Sequence, residues 1–226
     1  YAQSLKLNSL GRLTASIAHE IRNPLGAISH AAQLLLESSG LSTSDQRLAD
    51  IIQQHSKRVN RTVESVLQIS RREPPKPEYI LLSEWLPKFV GNYLDSGHEA
   101  AEITVECGYP DLLVEFDQEN LQRVLCNLLD NALRHSKMAS HKEVAGIEVN
   151  LDFTKHQCLI DVIDPGAGVP LQEQSKLFEP FHTTVTEGSG MGLFLCKELC
   201  EMNNADLYYR PTARGESCFR VALNQR

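Results

Sequence analysis

Two stretches near the start of the chain carry apolar residues at strict helical spacing, and that pattern restricts the first third to a pair of amphipathic helices. Leu10, Leu13, Ile17, Ile21, Pro24, Ile28, Ala31 and Leu35 follow one another at steps of 3, 4, 4, 3, 4, 3 and 4 residues, the period of a helix with one buried stripe. After a polar turn from Ser38 to Asp45, the residues Leu48, Ile52, His55, Val59, Thr62, Val66 and Ile69 repeat at steps of 4, 3, 4, 3, 4 and 3. Two helices with one stripe each cannot enclose a core. The simplest closure is a four-helix bundle built from the hairpins of two chains, so the pattern predicts a homodimer.

Pro74, Pro75 and Pro77 end the pattern, because proline lacks the amide donor a helix needs and holds the preceding residue extended. The chain therefore divides into a helical domain over 1–73, a proline-rich linker over 74–82 and a second domain over 83–226. In the second domain helices are expected from Ser83 to Tyr93, Gln118 to His135 and Gly192 to Met202. Strands are expected at Ile103–Cys107, Leu113–Phe116, Ile147–Phe153, Cys158–Ile163, Asp206–Tyr209 and Cys218–Leu223. This is an α/β layer fold.

Charge narrows the partners. With 22 basic and 29 acidic residues the net charge is -7, so no general positive field draws the chain to nucleic acid, and direct nucleic-acid binding is not expected. The six cysteines form no CxxC pair and read as reduced thiols of a cytoplasmic protein. No apolar run approaches the roughly 20 residues that cross a bilayer. The chain opens on Tyr1 rather than Met, which suggests a part of a longer protein.

Four runs carry chemistry. In His19-Glu20-Ile21-Arg22-Asn23-Pro24, His19 lies about 200° around the helix from the Ile17 and Ile21 stripe and points to solvent, with Asn23 one turn above it. By itself an exposed histidine reads as a solvated surface residue. Pro24 weighs against that, since a proline inside a helix costs about 3 kcal/mol and a bland face rarely carries such strain. In the run from Asn120 to His135, Asn127 and Asn131 share one face. Two neutral oxygen donors there suit Mg²⁺ held mainly by phosphates, and Arg134 could meet the same phosphates. Solvation of a helix explains the pair equally well.

The third run is Asp164-Pro165-Gly166-Ala167-Gly168, where Asp164 could accept from the exocyclic amine of a base and the glycines allow close backbone approach. In the fourth, Gly188-Ser189-Gly190-Met191-Gly192-Leu193, bare amides before a helix favour phosphate. Neither glycine cluster follows a strand in the βαβ setting of a dinucleotide fingerprint, so that reading is rejected.

The order of these runs closely resembles the sensor histidine kinases of two-component systems. Their histidine box matches Ser16 to Leu25, their asparagine box Asn120 to His135, their first glycine box Asp164 to Gly168, their phenylalanine box Leu177 to Phe181 and their second glycine box Gly188 to Leu193. Within the family the chain is most similar to PilS-type and NtrB-like sensors. The resemblance implies a dimerisation and histidine-phosphotransfer domain, then an ATP-binding domain of the gyrase, chaperone and MutL type, the Bergerat or GHKL fold: a two-layer α/β sandwich with a mixed sheet.

The same resemblance implies the site. His19 accepts the γ-phosphate of ATP, Glu20 orients it or takes its proton, and Asn23 positions water for dephosphorylating a partner. Asn127 and Asn131 hold Mg²⁺, and Arg134 and His135 lie near the polyphosphate. Asp164 reads adenine, with Gly166 and Gly168 opening the base pocket. A lid over about 169–187 closes above the phosphates, with Phe181, Thr183 and Thr184 in this region. Gly188, Gly190 and Gly192 cradle those phosphates, and Ser189, Met191 and Leu193 complete the ATP-binding set. The implied partner is the receiver domain of a response regulator, an NtrC-type transcription activator being the candidate. The implied location is the cytoplasmic portion of a bacterial sensor anchored in the inner membrane. Val185 stands where relatives often carry a lysine. Two other readings compete: a clamp ATPase of the same nucleotide-binding superfamily, and a dimeric scaffold that binds nucleotide without transfer.

Overall fold

The computed structural model describes residues 21–38, 40–70, 74–183 and 190–224. They fall into two compact units: one holds the first two helices together with Glu179–Gly192, and the other comprises Pro74–Phe178 with Leu193–Arg226.

In the first unit, α1 is helical over 21–37 and α2 spans Thr43–Ser70. Ser42 caps α2 by accepting a hydrogen bond from the amide of Asp45 at 3.2 Å while its hydroxyl donates to the Asp45 carboxylate at 2.7 Å, which satisfies a donor that the first helical turn would leave bare. Among the described side chains of the pair, Ala32, Ala49, Ser56 and Leu67 are buried, and Arg22 lies 3.7 Å from Glu64. Among the described residues of the long apolar stripe, the bulky ones stay exposed. Ile28 is 47% exposed, Leu48 56% and Ile52 42%, and His55, expected in or beside the bundle core, is exposed as well. Three of the four buried positions are small, and the bulky side chains of the stripe remain outside them. No described helix is long and apolar enough to cross a membrane.

In the second unit, β1 (Glu78–Leu81) pairs antiparallel with β3 (Leu113–Phe116). It occupies residues read from sequence as linker, because four residues are too few to display an alternating pattern. After β1 come α3 (Leu82–Asp95) and β2 (Glu102–Cys107); β3 leads into α4 (Gln118–Ser140), β4 (Val144–Asp152) and β5 (Gln157–Asp164). The short α5 (Leu171–Gln174), then α6 (Gly192–Met202), β6 (Ala205–Tyr209) and β7 (Ser217–Asn224) complete the order. The main sheet runs β2-β4-β5-β7-β6; β2 and β4 are parallel and every other neighbour is antiparallel. It is the mixed sheet of an α/β sandwich.

Ile147, Ile160, Val162, Val221 and Leu207 on the sheet, and Leu121, Val124, Leu125, Leu128 and Leu129 of α4, are all buried. Each such side chain contributes about 1.5 to 3 kcal/mol. α4 starts at Asp117, whose carboxylate accepts from the Asn120 amide at 3.0 Å and from the Lys76 amide at 2.7 Å. It ends at His141, which takes a left-handed conformation at φ 58 and donates its amide to the Lys137 carbonyl. This carries the helix five residues past the end read from sequence.

Candidate functional site

α4 presents one continuous polar face. The Asn127 amide nitrogen donates to the Arg123 carbonyl at 3.0 Å, which commits the nitrogen to the helix and makes the oxygen the group offered outward. One turn on, the Asn131 oxygen accepts from Arg134 at 3.4 Å. Two neutral oxygens with a guanidinium beside them form a donor set that fits a hard cation carried by polyphosphate.

A turn further, the same face enters a cavity of about 210 Å³ lined by His135, Met138, Ala139, Asp164, Ala167, Gly168 and Ser217. Asp164 ends β5 and is only 1% exposed. Burial pushes its carboxyl above the usual carboxylate range, opposed by hydrogen bonds from the Ser217 hydroxyl and the Gly166 amide and by the nearby His135. A buried acceptor at the wall of a small cavity is suited to a ligand amine, which would replace the water it has lost.

The glycines around Asp164 have steric reasons. A Cβ on Gly166 would overlap the Asp164 carboxylate and touch the His135 Cβ at 3.4 Å. Gly168 sits at φ +70, where a Cβ would stand 3.0 Å from the Tyr209 hydroxyl. In the other unit, Gly190 at φ +69 packs backbone to backbone: its Cβ would lie 2.6 Å from the Phe181 carbonyl oxygen and 2.8 Å from the His182 nitrogen. Phe181 is itself at φ 66 and exposed. Thr183 is half-buried and Met191 buried, and Gly192 and Leu193 open α6.

The structure thus brings together Asn127, Asn131, Arg134, His135, Asp164, Gly166 and Gly168 within the second unit. Asn23 is exposed on α1. His19, Glu20, Thr184, Gly188 and Ser189, like the departure at Val185, lie outside the described residues. Sequence reasoning missed Met138, Ala139 and Ser217. The first two continue the His135 face one turn further and were within reach of the helical period. Ser217 joins Asp164 only through the register of β5 and β7, which no local pattern announces.

Comparison with known proteins gives two family matches: a "His Kinase A (phospho-acceptor) domain" over residues 9–75 and a "Histidine kinase-, DNA gyrase B-, and HSP90-like ATPase" over residues 116–226. Among curated proteins the chain is 46% identical to the sensor protein kinase PilS of Pseudomonas aeruginosa, over 98% of this chain and 42% of that protein. It is 31% identical to the sensory histidine kinase/phosphatase NtrB of Rhodobacter capsulatus, over 92% of this chain and 60% of that one. The chain therefore spans less than two thirds of these relatives. Among solved structures, the histidine kinase ThkA in complex with the response regulator protein TrrA matches at a TM-score of 0.69 and 21% identity, covering 99% of this chain and 64% of that one. Full-length ShkA in complex with AMPPNP also matches at 0.69, with 19% identity, 94% of this chain and 45% of that one. At these identities the structural likeness speaks for the fold.

Proposed function

The chain belongs to the sensor histidine kinase family, and on that premise we propose that it moves the γ-phosphoryl group of ATP to His19 and then to an aspartate of a response regulator. The observation that carries this reading is the single face of α4 that leads from Asn127 and Asn131, through Arg134, to the cavity walled by Asp164. It is a polyphosphate face continuous with a base pocket.

Phosphoryl transfer needs positioning and charge neutralisation more than covalent help from the protein. Asp164 accepts from the adenine amine and fixes the base. Arg134 meets the phosphates. Asn127 and Asn131 would hold Mg²⁺, which when bound neutralises polyphosphate charge. The acceptor is the neutral imidazole of His19, the form with a nitrogen lone pair free to attack. A ring nitrogen forms the N–P bond as the P–O bond to ADP breaks, and the proton leaves for Glu20. Phosphohistidine then donates to the regulator aspartate. Asn23, exposed on α1, is the residue that would orient water to dephosphorylate the regulator.

The outer apolar stripe supports assembly as a homodimer in which two helical pairs close one bundle. The likeness to PilS and NtrB supports an NtrC-type activator as the regulator, and the cytoplasmic portion of an inner-membrane sensor as the setting.

Incubation with γ-labelled ATP and Mg²⁺ tests the reading. Label should appear on the protein, acid-labile and base-stable, and be absent in His19→Gln and in Asn131→Ala. Soluble phosphate without labelled protein would identify a clamp-type ATPase instead, and nucleotide binding with neither product would identify a scaffold.

A further inference from the structure

The peptide groups at the exit of the glycine loop are held by side chains. The Val169 amide donates to the Tyr209 hydroxyl at 2.9 Å, and the Val169 carbonyl accepts from the Gln174 side-chain amide at 2.9 Å. Both polar groups of one residue are thereby satisfied outside any strand or helix, and the peptide planes on either side of it are fixed. Immediately before it, Gly168 lines the cavity, and at φ +70 its missing Cβ would stand 3.0 Å from the same Tyr209 hydroxyl. The hydroxyl therefore fits the loop in two ways: it receives a donor, and it fills the space that a side chain on residue 168 would need.

Tyr209 is anchored for this task. It is the cross-strand partner of Phe219, with the two rings edge-on at 5.3 Å. Phe219 is buried and meets Phe178 edge-on at 6.5 Å. Such aromatic contacts hold a ring beyond what its buried area contributes. The hydroxyl therefore projects from the sheet at a set position, and the loop is referenced to the sheet that also carries Asp164.

We propose that Tyr209 and Gln174 are positioning residues for nucleotide recognition: together they clamp Val169 and set the loop wall of the cavity at a fixed distance from Asp164. This rests on the cavity being the adenine pocket. A preformed wall raises affinity by removing an ordering cost, and it leaves the transfer step untouched because no reacting atom is involved.

The test uses ADP as probe. Tyr209→Phe keeps the ring contacts and removes only the acceptor, so titration calorimetry should show the Kd for ADP rising about fivefold to tenfold, the effect of one lost hydrogen bond. KM for ATP in autophosphorylation should rise by the same factor while kcat at saturating ATP stays constant. Gln174→Ala should act in the same direction. The double variant should lose less than the product of the two single effects, since both act through one residue. A Kd for Tyr209→Phe within twofold of the parent overturns the clamp, as does a fall in kcat that tracks a lowered melting temperature. A parent chain that does not bind ADP overturns the nucleotide reading and the clamp with it, whereas a parent that binds ADP beside unaltered variants overturns the clamp alone.

Discussion

The Asp164 carboxylate accepts the amide hydrogen of Gly166 at 2.9 Å, and a side chain on Gly166 would overlap that same oxygen. The glycine is required because the loop turns back on the acid it follows. Together with the hydrogen bond from the Ser217 hydroxyl, the contact holds the carboxyl group, deprived of water, at the wall of the cavity.

Replacing Asp164 by Asn tests both halves of that arrangement. Asn preserves the shape and can still accept from Gly166, but it removes a carboxyl that burial disfavours in charged form. Because the folded-state pKa lies above the unfolded value, the native state binds more protons between the two, and the stability of the parent falls as pH rises through that window. Asp164→Asn should therefore melt higher than the parent at pH 7, with the advantage shrinking as pH drops into the carboxylate range. ATP affinity should fall about 10-fold to 100-fold, the scale of a lost hydrogen bond to a charged group. Thermal melts across pH and nucleotide titration check each part; a variant less stable at pH 7 would show that the carboxylate is well accommodated without ligand.

Much of the site was legible because its residues are local to one element. Asn127, Asn131 and Arg134 are related by the helical period alone, and Asp164 stands at the end of a run of buried strand residues. Ser217 and Tyr209 are not local: they reach the site through strand pairing across forty or more residues of sequence. The sheet order, with β2 parallel to β4, is likewise a matter of long-range closure. The helical stripe was legible as a pattern but not as a contact. Apolar spacing says which side chains avoid water, and on α2 the buried positions are instead Ala49, Ser56 and Leu67.

That outward stripe predicts an oligomer that one charge breaks. Ile28, Leu35, Leu48, Ile52 and Val59 stay exposed in the single chain, and burial against a second copy would return about 1.5 to 3 kcal/mol for each fully covered side chain. Ile52→Lys removes that contribution twice per dimer and adds two charges to desolvate, so the dimer should weaken by about 100-fold or more. Sedimentation equilibrium should show dimer for the parent and monomer for the variant. ADP affinity should be unchanged, since Ile52 belongs to one unit and Asn127, Asn131, Arg134 and Asp164 to the other. An equally dimeric variant would exclude this face as the interface.

The sheet holds a buried ion pair whose worth can be separated from its parts. Arg220 on β7 meets Asp161 on β5 through two hydrogen bonds, at 2.6 Å from Nε and 2.5 Å from Nη2; the two residues are paired in register, with Tyr208 across from Arg220 on β6. Their side chains are 15% and 5% exposed, so the Asp161 carboxylate cannot recover water if Arg220 is removed. Arg220→Met should cost about 3 to 5 kcal/mol by leaving the Asp161 carboxylate buried and alone, whereas Asp161→Leu combined with Arg220→Met should cost far less, because the desolvation of both charges disappears with them. Urea unfolding of the parent, the two single variants and the double variant gives the coupling directly. Single losses below about 1 kcal/mol that simply add would place the pair in effective contact with solvent, and the sheet would then owe its register to the apolar face packed on α4 alone.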